Sequence, residues 1–100
     1  MTQHQEQQQE ERAVKIKVHF VPVGSAPLIK RAKFQINSDQ RFASVHCFLR
    51  KVLKLRSDSL FLYLHSSFCP GPEALMSDLH AAFSKRGELV IHYSLMPAWG

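Results

Sequence analysis

Residues 13–21 read AVKIKVHFV, and they alternate without a break. Val14, Ile16, Val18 and Phe20 fall on one side, while Lys15, Lys17 and His19 fall on the other. Extended chain points successive side chains to opposite faces, so this is a strand with one face in a core and one in water. PVGSAP at 22–27 then stops it with two prolines and a glycine. A second strand is predicted over 29–37, with Ala32, Phe34 and Ile36 on one face and Arg31, Lys33 and Gln35 on the other. The two strands make a hairpin with a loop of several residues.

Downstream the period changes. Phe42, Val45, Phe48, Leu49, Val52 and Leu53 recur at helical spacing, with Ser38 or Asp39 available as the N-cap. Arg50, Lys51 and Lys54 sit toward the C-terminal end, where positive charge complements the helix dipole. SLFLYLH at 59–65 reads as a third strand and SSFCPGP at 66–72 as a loop. Pro72 then suits the start of a shorter helix, EALMSDLHAAF at 73–83, that turns Leu75, Met76, Leu79 and Phe83 to one side. SKRG closes it, with Gly87 as a left-handed cap, and ELVIHYS at 88–94 is the last strand. The order is ββαβαβ, a two-layer α+β domain with a four-stranded sheet and two helices. Pattern alone does not say where the first strand lies relative to the last.

The chain has 100 residues, room for one core. MTQHQEQQQEER at 1–12 holds no apolar residue after Met1, which predicts a disordered polar tail without the features of a signal peptide. Residues 13–94 form the expected domain and 95–100 a flexible tail. The formal charge is +5, and the first twelve residues are net acidic, so the folding part is the basic part. Its clusters, KRAK at 30–33 and RKVLKLR at 50–56, suit a solvated face or a docking surface for an acidic protein. Nucleic acid is disfavoured because no strand shows exposed aromatic pairs for stacking. No apolar run approaches the roughly 18 residues that span a bilayer, so direct membrane insertion is not expected.

Catalytic and metal signatures are missing. The histidines are scattered singly, and no pair has zinc-ligand spacing. There is no nucleophile elbow, phosphate loop or dinucleotide fingerprint. Neither a cofactor nor an enzyme activity is expected. Cys47 is placed beside apolar neighbours on the first helix and Cys69 in a loop; both read as reduced cytosolic thiols. Phe68, in a loop bounded by proline and glycine, is either a core plug or an exposed anchor for a partner.

Several segments together carry a resemblance. LHSSFCPGPE at 64–73, a short helix and then GELVIHYSLMPAWG at 87–100 resemble the autophagy-related protein 12 family of ubiquitin-like modifiers. That family has an aromatic strand, an F-x-P-x-P loop, a G-K-L-V strand and an A-W-G ending. APLIKRAKF at 26–34 and RFASVHCFLRKVLKLRSDSLFLYL at 41–64 are similar to its second strand, first helix and third strand, so the likeness covers about residues 14–100.

The resemblance implies a ubiquitin-like β-grasp fold. It also implies that Gly100 is activated by an E1-like enzyme, passed through E2-like enzymes, and joined by an isopeptide bond to a lysine of autophagy-related protein 5. The conjugate would promote lipidation of a sister modifier during autophagosome formation, in the cytoplasm and on the growing membrane. With A-W-G at the end, no processing protease is needed. Glycine leaves the carbonyl unhindered for serial acyl transfer, and Trp99 and Ala98 would serve tail recognition beside it. The family pattern further suggests a noncovalent patch for an E2-like enzyme at Val23, Phe34 and Phe68, with Lys33 beside them. Here Phe34 stands where the family usually has tryptophan, and Phe34 is either core or surface. The competing reading is a noncovalent ubiquitin-like adaptor whose tail is a packing element.

Overall fold

A computed structural model of the protein describes residues 14–55, 59–65 and 68–97. Strand β1 spans Lys15–Pro22, β2 Lys33–Asn37, helix α1 Phe42–Val52, β3 Phe61–Tyr63, α2 Met76–Phe83 and β4 Glu88–Ser94. The sheet order is β2-β1-β4-β3. β1 pairs antiparallel with β2, with Val18 opposite Phe34, and parallel with β4, with His19 opposite Val90. β3 pairs antiparallel with β4, with Tyr63 opposite His92. First and last strands therefore lie side by side at the centre, which is the β-grasp arrangement of an α+β fold. The question left open by the sequence is answered by hydrogen bonding between strands some 70 residues apart.

One face of the sheet is the core face. Ile16, Val18 and Phe20 of β1 meet Leu89, Ile91 and Tyr93 of β4 there, under Val45 and Leu49 of α1 and Met76 and Leu79 of α2. The alternation that predicts β1 is the alternation observed: Ile16, Val18 and Phe20 are buried, and Lys15 and Lys17 are exposed. The opposite face of the sheet, called the open face below, carries Lys17, His19, Lys33, Glu88, Val90 and His92.

Several boundaries differ from expectation, and the causes are tertiary. The second strand begins at Lys33, since residues 29–32 only approach the sheet, through one bond from the Phe20 N–H to the Ala32 carbonyl at 2.8 Å. The third strand shrinks to three residues. Neither Ser38 nor Asp39 caps α1; the N-cap is Arg41, and it makes no side-chain cap bond. The Phe42 and Ala43 N–H groups instead donate to the carbonyls of Ala74 and Pro72, at 2.8 and 2.9 Å. The debt is mutual: the Met76 and Ser77 N–H groups of α2 donate to the carbonyls of Gln40 and Ser38, at 2.8 and 2.9 Å. Each helix start is satisfied by the segment leading into the other. This holds 72–75 in extended chain bridged to Arg41, so α2 begins at Met76 and Pro72 lies in a turn before it. Gly87 has the expected positive φ of 81°, but it lies three residues past the C-cap Ser84. With Arg86 at φ 54° it forms the two-residue turn between Lys85 and Glu88, both central residues left-handed as a type I′ turn requires.

Candidate functional site: two aromatic patches and the root of the tail

Phe34 and Lys33 are sequence neighbours on an edge strand, so the pleat sends them to opposite faces. Phe34 lies on the core side, half-buried between β2 and α1. Its ring meets Phe20 at 5.8 Å and Phe48 at 5.0 Å edge-on, and the Arg31 guanidinium sits 5.1 Å above it. Phe48, expected in the core from its helical spacing, is one of the exposed large apolar residues. Together with Ile36, Val45 and Lys15 these residues line a groove of about 340 Å³ between β2 and α1. Lys33 projects from the open face and pairs with Glu88 at 3.1 Å. Lys15, Lys17 and Arg31 surround that pair and keep this end of the face basic.

Phe68 occupies a different region. Its N–H donates to the Leu64 carbonyl at 3.1 Å and its carbonyl accepts from the Leu64 N–H at 2.7 Å, so the loop is pinned as a narrow bridge. The ring stacks on Phe83 at 5.2 Å and is 47% exposed. That resolves the two readings of Phe68 in favour of a supported but accessible ring. His65, at φ 55°, packs edge-on against the other side of Phe83 at 5.1 Å. Val23 lies past the end of β1, 39% exposed, its N–H bound to the Tyr93 carbonyl at 2.9 Å.

Val23, Phe34, Phe68 and Lys33 are thus not one continuous patch. β2 and β3 are the two edges of the sheet, three strand spacings or about 14 Å apart. Phe34 belongs to the first edge and Phe68 to the loop after the second. Family spacing in the sequence carries no information about which strands end up at the edges.

The root of the tail is described as far as Pro97; Ala98, Trp99 and Gly100 lie outside the described residues. Tyr93 fills the core, and its hydroxyl donates to the Pro27 carbonyl at 2.6 Å. Burial raises its pKa, because the phenolate would lose water. Tyr63 lies opposite His92 on the open face, yet it is almost fully buried. Its hydroxyl donates to the Met96 carbonyl at 2.6 Å, and the Met96 N–H donates to Ser94 Oγ at 3.0 Å. The chain therefore folds back after β4 across the open face. The sequence reading missed Tyr63, although a tyrosine on the water-facing side of a strand is a usable signal.

Cys47 is exposed rather than set among apolar neighbours, and Cys69 is exposed as well. Both line a groove of about 330 Å³ between α1 and the loop at 69–72. Among the described residues no three His, Cys, Asp or Glu side chains converge as metal ligands do. Among them, too, no helix is long and apolar enough to cross a membrane.

Order β2-β1-β4-β3, two helices on one face and a tail leaving the last central strand define a ubiquitin-like protein of the β-grasp class. Solved structures share this fold. The crystal structure of Trypanosoma brucei ATG8 superposes with a TM-score of 0.75 at 24% identity, over 89% of this chain and 79% of that one. Plasmodium falciparum Atg8, solved in complex with an Atg3 peptide, gives 0.70 at 16% identity, over 94% and 85%. Sequence relatives are more specific. The ubiquitin-like protein ATG12 of Oryza sativa subsp. indica is 40% identical over 86 residues, 86% of this chain and 90% of the relative. That of Medicago truncatula is 42% identical over 86 residues, 86% and 88% of the two chains. The family described as ubiquitin-like autophagy protein Apg12 matches residues 15–100. The chain belongs to that family.

Proposed function

We propose that the chain is a covalent protein modifier of autophagy, activated and transferred through the Gly100 carboxylate. The observation that supports it most is the family match running through the tail to residue 100, past the end of the sheet. In the reaction an E1-like enzyme converts the carboxylate to an acyl-adenylate, and its cysteine thiolate displaces AMP to give a thioester. An E2-like cysteine takes the acyl group by thiol exchange. A lysine amine of autophagy-related protein 5 then displaces that thiolate, leaving an isopeptide. The nucleophiles all come from the partners. This chain contributes an unhindered glycine carbonyl and the apolar side chain of Trp99, with Ala98, for the partners to grip.

The conjugate formed in the cytoplasm would be recruited to autophagosome membranes and there promote lipidation of the sister modifier. Partner binding falls to two surfaces in this reading: Phe68 with Phe83 at one edge, and Lys33 with the Phe34 groove at the other, Val23 lying apart from both. The free edge of β2 and the groove beside it suit an extended peptide, and the same fold holds an Atg3 peptide in the Plasmodium falciparum structure. A noncovalent adaptor is the second reading, favoured by the hydrogen bond that holds Met96 to Tyr63.

The test is an anti-tag blot of cells expressing the chain with an N-terminal tag, beside a version without Gly100. A heavier, reductant-resistant band that requires the glycine is expected, and mass spectrometry of it identifies the acceptor. No such band from well-expressed protein would reject conjugation and leave the adaptor.

A further inference from the structure

The fold-back of the tail has a direction. Tyr63 and His92 are directly opposed on the open face, and the Met96 carbonyl sits on the Tyr63 hydroxyl. From Ser94 the chain has therefore reversed and runs back along β4, toward Val90 and Glu88. Trp99 follows Met96 by three residues, a reach of about 10 Å in extended chain. One step from His92 to Val90 along the strand covers about 7 Å.

At that distance the open face holds a cavity. Its wall is made by His65, Phe83, Lys85, Glu88, Val90 and His92, and it measures about 300 Å³, room for an indole ring. Phe83 and Val90 supply apolar surface; Phe83 is already packed between Phe68 and His65 and so is held in place. The His92 Nδ1 is buried and has no hydrogen-bond partner among the described residues. An indole brings one N–H donor and no acceptor, and when buried it usually finds a partner. Size, reach, direction and the unused acceptor point to the same side chain.

We propose that Trp99 docks in cis into this open-face cavity, against Phe83, Val90 and His92, with the Tyr63–Met96 hydrogen bond steering it there. Docking holds the end of the tail against the domain, next to the Phe68–Phe83 corner. It leaves the chain in two states, tail stored and tail free. Where the chain acts as the modifier proposed above, only the free state presents Gly100 to an activating enzyme, so apparent affinity for that enzyme falls by the free fraction. That consequence rests on the conjugation reading; the docking itself does not.

Trp99 is the only tryptophan in the chain, so intrinsic fluorescence reports it alone. Acrylamide quenching would be compared among the whole protein, a peptide of residues 94–100, and the variant Val90→Lys, which fills the cavity from the solvent side of the strand. A tail docked about four-fifths of the time quenches about fivefold less than the peptide, and Val90→Lys recovers most of that difference with unchanged circular dichroism. Quenching of the wild type equal to that of the peptide would overturn the proposal, as would protection that survives Val90→Lys. Protection that grows with protein concentration would move the occupant to a second copy and overturn the cis contact. Should Val90→Lys not fold, nuclear Overhauser contacts between the Trp99 indole and the Val90 methyls of the wild type decide the matter: present, they support docking, and absent, they reject it. The thioester assay separates the two levels. A wild type that forms thioester while showing no protection refutes the docking and keeps the conjugation.

Discussion

Replacing Tyr93 by phenylalanine tests how the tail root and the loop after β1 are held. The ring is fully buried, and its hydroxyl donates to the Pro27 carbonyl at 2.6 Å, linking β4 to a loop 66 residues earlier. Tyr93→Phe keeps the ring volume, so no cavity term enters. What is lost is one neutral hydrogen bond, worth about 1 kcal/mol net. Pro27 is exposed, so water can reach its carbonyl and the cost stays near that figure. For a domain of 60–100 residues this lowers Tm by about 5 °C.

The same residue makes a pH prediction. Burial raises the folded-state pKa of Tyr93 above the model value of 10.0. Between the unfolded and folded pKa values the native state binds more protons, so stability falls as pH rises. The tyrosine's contribution is complete below the unfolded value and is lost as pH climbs through the folded one. Phenylalanine has nothing to ionise. Thermal melts of the two proteins should therefore differ by a constant amount below pH 10 and converge above it. Titrations common to both proteins cancel in that difference. A Tyr93→Phe protein as stable as the wild type at pH 7, or a gap that stays constant through alkaline pH, would refute the reasoning.

Phe68→Ala removes a half-exposed ring stacked on Phe83 and should cost only about 1 kcal/mol of stability in denaturant melts. The isopeptide conjugate should still form while lipidation of the sister modifier falls; equal lipidation by the two would reject the patch. Lys33→Glu sets like charge beside Glu88, but Lys33 is 64% exposed, so stability should change by no more than about 1 kcal/mol. Its binding to acidic partner peptides, measured calorimetrically, should weaken, and more so at low salt; unchanged affinity would remove Lys33 from the surface. Gly87→Ala meets no neighbouring atom, so only the left-handed backbone at φ 81° resists it, at about 1 kcal/mol in chemical denaturation. An unchanged midpoint would show that the Lys85–Glu88 turn tolerates a side chain.

What the residues determined by themselves is local and periodic. Alternation in 15–20 named a strand with one buried face, and the helical spacing of Phe42, Val45 and Leu49 named the face of α1 that enters the core. The order ββαβαβ and the family likeness of the tail were also readable from residues alone, because strand and helix periods and turn residues are properties of neighbouring positions. Tertiary structure decided the rest. Only the parallel pairing of β1 with β4 put those strands at the centre and sent Phe34 and Phe68 to opposite edges. Only the mutual capping of the two helix starts moved α2 to Met76 and left Ser38 and Asp39 without a capping role. Tyr63 turned from a strand residue into the anchor of the tail because the chain after Ser94 doubles back over it. Each of these depends on backbone groups meeting partners more than 30 residues away, and no period in the sequence records such a meeting.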